Sequence, residues 1–268
     1  KEAAFKKTGP EKVVWLGNSS AFVTSKNPPF WSRMIVGGPK FSDGYQNRIK
    51  RKGLARFYDY DGQKVFDISV FDIPCLNFLN PAPQITSAEL GWSVANGKNF
   101  GNPTGDVDGD LIVLGAPGWS SKRGGVFVFD QDGNGLFCIE GSDIAGDNVS
   151  RFGWSVHCQD VNNDGVADLI VGAPSQDTFS GDSAGVVYIL SGDFAVVAPG
   201  EPVIPTVLTT KSGVSPGAMM GYSVGACETV FGSVSSPIIA SAPFETIGNK
   251  PNAGAVYVFD VTGTQDHK

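Results

Sequence analysis

Four oxygen-bearing side chains stand at alternate positions of one short stretch: Asp160, Asn162, Asp164 and, after a longer step, Asp168, with Gly165 following the third. A hard cation such as calcium takes six to eight oxygen ligands, and a turn that offers them at positions one, three, five and nine wraps around it. Position seven, Val166, supplies its backbone carbonyl, and the glycine at position six permits the sharp turn that brings the donors inward. This is the first half of an EF-hand loop, yet position twelve is Val171 rather than a bidentate glutamate. The competing explanation is an Asp/Asn/Gly turn whose side chains bond only their own backbone. The spacing of the donors favours calcium.

The residues that must position this loop are strands. Asp168 runs directly into LIVGAP, a continuous apolar run ending in Pro174, so the loop joins two strands of a hairpin. A related stretch, Asp106, Asp108 and Asp110 before LIVLGAP, lacks two residues of the spacing. It reads either as a degenerate second metal site or as a plain acidic turn.

Other chemistry finds little support. The two histidines are His157, inside a predicted strand, and His267. His157 reads as a core residue, and a His157–Cys158 nucleophile pair fails because neighbouring strand residues face opposite ways. Gly221-Tyr222-Ser223-Val224-Gly225 matches the nucleophile elbow by letter but lacks its strand-to-helix setting. No HExxH and no P-loop occur, and a non-enzymatic protein is expected. The net charge of −7 argues against nucleic acid, and no apolar run has the length of a membrane span. Lys1 in place of an initiator Met reads as a processed product or a fragment. Two sequons, at Asn18 and Asn148, are acceptor sites for N-glycans in a secreted or cell-surface protein. Cys75, Cys138, Cys158 and Cys227 allow three pairings, or none if they are buried thiols, and the sequence does not choose.

The chain repeats itself. Gly91-Trp92-Ser93-Val94, Gly153-Trp154-Ser155-Val156 and Gly221-Tyr222-Ser223-Val224 are one phrase. Each is followed by Gly115-Ala116-Pro117, Gly172-Ala173-Pro174 or Ser241-Ala242-Pro243, and then by a strand opening at Gly125, Gly185 or Gly254. A looser first copy runs from near Ala21, with Gly37-Gly38-Pro39 and a strand at Gly53, behind a short strand at Lys12–Leu16. A period of roughly sixty residues built from strands alone implies stacked β units, and propeller blades are the usual solution. The expected fold is all-β, with four-stranded blades at about 12–75, 88–142, 150–211 and 218–263. Unbroken apolar runs imply strands buried on both faces. Fourth strands are expected at Lys64–Val70, Leu136–Glu140 and Val203–Thr209. Trp92 and Trp154, repeating within strand one, read as packing rather than as sugar-binding pockets.

The glycine-aromatic-serine phrase, the DxNxDGxxD loop and the GAP strand together resemble the FG-GAP repeat of integrin alpha heads and of the C-terminal part of glycosylphosphatidylinositol-specific phospholipase D. Arg151–Gly192 carries the whole pattern; the other copies carry parts of it. The resemblance implies a seven-bladed propeller, of which this chain supplies about four blades, with calcium in the hairpin between strands one and two. Other segments or other chains complete the ring. It implies a calcium-binding extracellular module for adhesion or assembly, or alternatively the accessory domain of a secreted hydrolase. By the same resemblance, partners meet the opposite face, built from Gly118–Gly124, Gly141–Ser150, Ser175–Ala184 and Phe244–Ala253. Two aromatics there, Trp119 and Phe179, are expected to fold down onto the sheets rather than stand free.

Overall fold

A computed structural model describes residues 19–24, 32–40, 52–73, 75, 87–98, 100, 110–146, 149–194, 200–227 and 236–261. The fold is all-β: a propeller arc of antiparallel meander sheets. Sheet one contains β1 (Ser20–Thr24), β2 (Ser32–Gly37), β3 (Leu54–Tyr58) and β4 (Lys64–Ser69). Sheet two contains β5 (Ser93–Lys98), β6 (Asp110–Gly115), β7 (Gly125–Phe129) and β8 (Gly135–Glu140). Sheet three contains β9 (Ser155–Gln159), β10 (Asp168–Ala173), β11 (Val186–Leu190) and β12 (Val207–Ser212). Sheet four has three strands among the described residues, β13 (Val224–Ala226), β14 (Ile238–Ala242) and β15 (Ala255–Phe259). The first strands β1, β5, β9 and β13 lie side by side in that order.

Three apolar cores fill the joints between neighbouring sheets. Ile35 and Phe57 meet Ile112 and Phe127 in the first. Val113 and Val128 meet Leu169 and Tyr188 in the second. Ile170 and Ile189 meet Ile238 and Tyr257 in the third. Successive strand residues point to opposite faces, so a central strand such as β10 feeds the joint before it and the joint after it. That is why LIVGAP is apolar without alternation, and all six residues of β10 are buried.

The repeated phrase is the joint itself. Ser93 Oγ donates to the Gly153 carbonyl and Ser155 Oγ to the Gly221 carbonyl, both at 2.8 Å, while Ser19 Oγ reaches the Gly91 carbonyl at 3.5 Å. Each serine therefore grips the phrase glycine of the following sheet. The glycine of the GAP strand faces the same carbonyl. A Cβ on Gly37, Gly115 or Gly172 would sit 2.0, 2.1 or 1.9 Å from that oxygen, closer than any side chain tolerates. Ser19 thus takes in sheet one the place of Ser93 and Ser155. The first copy's phrase is Gly17-Asn18-Ser19, ahead of the start near Ala21 that the sequence suggested. Lys12–Leu16 lies outside the described residues.

Two further differences concern the outer edges. The fourth strand of sheet three is β12, which starts four residues later than the apolar run at Val203 implied. Val203 N–H instead bonds the Cys138 carbonyl at 2.8 Å and Gly200 N–H the Leu136 carbonyl, so this connection pairs with the outer strand of sheet two. Cys75 and Cys138 form a disulfide, which ties the segment after sheet one to β8. Cys158 is partly buried and Cys227 exposed, and both are free thiols.

Candidate functional site: the hairpin of sheet three

The Asp160–Asp168 loop connects β9 to β10, as the sequence implied. Asp168 opens β10 and is buried; its Oδ2 accepts from Val161 N–H at 3.0 Å and its Oδ1 from Gly192 N–H at 3.1 Å. Burial pushes its carboxyl up to about 6; the two N–H bonds oppose that rise, and the charges of Asp164 and Asp160 add to it. Asp160 accepts from Asp164 N–H at 3.2 Å and Gly165 N–H at 2.9 Å. Asn162 Oδ1 accepts from Asp164 N–H at 3.0 Å, and its Nδ2 donates to Asp164 Oδ2 at 2.8 Å. Asp164 Oδ1 accepts from Val166 N–H at 2.8 Å. Gly165 holds φ +89°, the left-handed turn for which it was singled out, and Asn163 holds φ +63° beside it.

In this arrangement the carboxylates face backbone amides, those of their own loop and, for Asp168, also that of Gly192. Among the described residues no three His, Cys, Asp or Glu side chains converge as a cation-holding group. The donor set nevertheless suits a hard ion. It consists of three carboxylates, one carboxamide oxygen and one carbonyl on a single turn, all oxygen. Each carboxylate has about four lone-pair sites, and the bonds above leave some on Asp160, Asp164 and Asp168 unused.

Three supports were not visible in the sequence. Gly192 N–H holds Asp168 from the end of β11. Ala167 N–H bonds the Lys98 carbonyl of sheet two at 3.1 Å. Ser236 Oγ bonds the Asp160 carbonyl at 3.1 Å from sheet four. The loop is therefore anchored to both neighbouring sheets. Neither Ser236 nor Gly192 belongs to a recognisable motif; only the packing of consecutive repeats places them there.

Of the second acidic stretch, Asp110 opens β6 opposite Lys98, while Asp106 and Asp108 lie outside the described residues, as do Asn18 and Asn148. His157 is half-buried toward the Ala226 backbone of sheet four, and burial lowers its pKa. Its Nε2 has no hydrogen-bond partner among the described residues, so it is less fully satisfied than a core histidine usually is. Cys158 Sγ lies on the other side, against Gly97 of sheet two, and its burial pushes the thiol up. The two side chains therefore face opposite ways.

On the opposite face the two aromatics differ. Trp119 is buried and donates its Nε1–H to Glu140 Oε1 at 2.7 Å, as expected of a ring folded onto the sheet. Phe179 is a correction: it is fully exposed. Thr178 and Gly181 exchange both backbone bonds across it, and Ser183 N–H caps Asp177 Oδ1 at 2.8 Å, so a tight turn holds the ring away from the sheet. Phe244, Ile247 and Val214 are also exposed in adjoining loops, which are linked by Thr246 N–H to Ser215 Oγ at 3.0 Å. The rings of Trp92 and Trp154 pack at a tilt with centroids 4.4 Å apart, and those of Trp154 and Tyr222 likewise at 5.3 Å. The phrase aromatics therefore pack on one another across the joints.

The FG-GAP repeat family matches residues 152–190, the sheet-three repeat that carries this hairpin. The chain is similar to integrin alpha-IIb of Homo sapiens, 39% identical over 103 residues, 37% of this chain and 9% of that protein. It is similar to integrin alpha-IIb of Mus musculus, 29% identical over 188 residues, 67% of this chain and 16% of that protein. Integrin alpha-3 of Mus musculus is 27% identical over 163 residues, 59% of this chain and 14% of that protein. The chain thus spans less than a fifth of the length of these relatives.

Proposed function

We propose that this FG-GAP-repeat, integrin alpha-like β-propeller chain is a non-catalytic, calcium-stiffened docking module of an extracellular or cell-surface protein. The observation that carries the reading is the sheet-three hairpin. It offers five oxygen donors, from Asp160, Asn162, Asp164, the Val166 carbonyl and Asp168, on a loop tied to the sheets on both sides. A bound divalent ion supplies positive charge to these carboxylates. The residues themselves fix the turn and, through Ala167 and Ser236, hold the neighbouring sheets to it. Asp106, Asp108 and Asp110 form a degenerate second calcium site in the corresponding hairpin of sheet two. The resemblance to integrin alpha chains supports an adhesive or assembly role. Its partners are other protein chains or further segments of the same polypeptide that complete the propeller.

The exposed, hydrogen-bonded loop tips around Phe179 and Phe244 support docking on the opposite face, because a rigid aromatic makes contact at low entropic cost. The disulfide between Cys75 and Cys138 fits an oxidising compartment. Among the described residues no helix is long and apolar enough to cross a membrane. N-glycans on Asn18 and Asn148 belong to the same reading, and a mass shift on endoglycosidase treatment tests them. The accessory-domain alternative has no observation of its own in its favour.

Thermal unfolding with and without a calcium chelator tests the metal reading. Calcium at about a hundred times its Kd adds roughly 2.7 kcal/mol, so the chelator lowers Tm by several degrees, and Asp164→Ala abolishes that response. An unchanged Tm in wild type overturns it.

A further inference from the structure

The connection Gly118–Gly124 in sheet two is folded against its own backbone preference. Ser120, Ser121 and Lys122 are three consecutive left-handed residues, at φ +47°, +61° and +72°, and none is glycine. Each such residue is disfavoured roughly tenfold, so the turn stays closed only while other contacts hold it. Inside it, Gly124 N–H bonds the Trp119 carbonyl at 3.0 Å, and the N–H groups of Lys122 and Arg123 make longer bonds of 3.3 and 3.4 Å. From sheet three's side, Arg151 N–H bonds the Lys122 carbonyl, and Phe152 N–H and Ser150 Oγ bond the Arg123 carbonyl.

The side chain that anchors the turn is Trp119. Its Nε1–H meets the buried Glu140 carboxyl, and its ring lies edge-on to Phe127 at 4.8 Å. The same place, two residues after the repeat's proline, is taken by Gln176 in sheet three and Glu245 in sheet four, and all three are buried. Gln176 donates to the Ala145 carbonyl at 3.0 Å, a pair with nothing to titrate. Glu245 accepts from the Tyr257 hydroxyl. The loops of those two sheets turn at Gly181 and Gly248, and neither sets two left-handed non-glycine residues in a row. Sheet two alone of the three joins a strained turn to a carboxyl anchor.

Glu140 ends β8, and the N–H of the next residue, Gly141, bonds the Gly124 carbonyl at 2.9 Å. The carboxyl therefore lies between the turn and the short helix Gly141–Ala145. The charged groups acting on it are Arg123 of the turn and Asp143 of that helix, which pull its pKa in opposite directions. Arg151, across the joint, is engaged by Glu89 at 3.9 Å and by the Trp154 ring. Burial is the largest effect, and it keeps the proton on Glu140. A carboxylate there recovers its water only if Trp119 and the turn move away.

We propose that Glu140 and Trp119 form a proton-operated catch on the face opposite the hairpins: the protonated carboxyl keeps the Ser120–Lys122 turn closed, and loss of the proton releases it. The closed carboxyl ionises at about 7 and the hydrated one at its ordinary 4.5, so opening releases a proton between those values. The open fraction rises several-fold per pH unit there and levels off above about pH 7, with a ceiling of roughly 300-fold. That face is then closed in an acidified compartment and loosened at neutral pH. The inference depends on neither the metal reading nor the docking reading.

The test is amide exchange of the intact chain, corrected for the intrinsic exchange rate at each pH, which reads the opening constant at Lys122, Arg123 and Gly124. From pH 5 to pH 7 that constant is expected to rise roughly 40-fold, with Thr178 and Gly181 of the sheet-three turn changing less than about threefold. Glu140→Gln, which keeps an acceptor for Trp119, is expected to remove the rise. Trp119→Phe is expected to raise opening at pH 5 about fivefold by deleting the anchoring bond. Ser121→Gly is expected to lower opening at pH 7 about fivefold by relieving one left-handed residue. A constant that does not change with pH in wild type, the same rise in Glu140→Gln, or an equal rise at Thr178 and Gly181 overturns the catch. No effect of Trp119→Phe overturns the anchor, and no effect of Ser121→Gly overturns the strained turn as its driving force.

Discussion

Sheets three and four come from the same repeat and are packed differently. In β10 every residue is buried, whereas β14 alternates buried and exposed positions over the same register. Gly172 lies against the Gly221 carbonyl; Ser241, its counterpart, bonds back to its own first strand. The hairpin of sheet three gathers acidic oxygens, and the corresponding connection in sheet four ends in Ser236, which bonds to the sheet-three loop. The comparison teaches that a residue of this repeat is dictated by the neighbouring sheet as much as by its own. At this strand position a glycine is required only where another backbone arrives.

The sharpest way to break that comparison is to put alanine at the matching position of each sheet. Gly172→Ala places a Cβ 1.9 Å from a carbonyl and forces the joint apart, an overpacking cost of roughly 3 kcal/mol or more. Ser241→Ala removes only a hydroxyl and should cost about 1 kcal/mol or less. Chemical denaturation of both variants reads the contrast, and equal losses would show that the close approach is not what selects glycine.

A second prediction concerns the buried carboxyl behind Trp119. Burial raises Glu140 from 4.5 to about 7, with the Trp119 bond opposing the shift and Asp143 adding to it. A carboxyl raised on folding keeps its proton in the folded state. Its stabilising contribution is therefore complete below about pH 4.5 and is lost as pH rises through about 7. The full span is about 3 kcal/mol. Glu140→Gln, which keeps an acceptor for Trp119, should flatten the pH profile of stability between those values and surpass wild type at pH 8. A profile unchanged by the substitution would contradict the buried proton.

The smallest effect is expected at a single joint bond. Ser93→Ala removes the donor to the Gly153 carbonyl and should cost about 1 kcal/mol. The same change at Ser223, which lies outside the three described joints, should cost less in this chain.

Much of this fold was legible in the residues, for reasons now visible in the joints. Unbroken runs such as LIVGAP mark strands with a core on each side, and the phrase recurs because every joint makes the same serine-to-carbonyl bond. The candidate metal loop was legible because its donors lie within nine residues of one turn. What resisted reading depends on contacts between distant segments. The Cys75–Cys138 pairing, the attachment of Val203 to sheet two, and the anchoring of the loop by Gly192 and Ser236 all join residues far apart in sequence. Trp119 and Phe179 look alike as loop aromatics. One has Glu140 to receive its N–H, and the other stands on a turn closed beneath it.

The account rests on a divalent ion locking the sheet-three hairpin to its neighbours, and amide exchange with and without calcium tests it most directly. Calcium should slow exchange at Val161, Asp164, Gly165 and Val166, and at the anchoring amides of Ala167, Gly192 and Ser236, while leaving the Thr178–Gly181 turn untouched. Identical exchange at those amides in calcium and in chelator would contradict it.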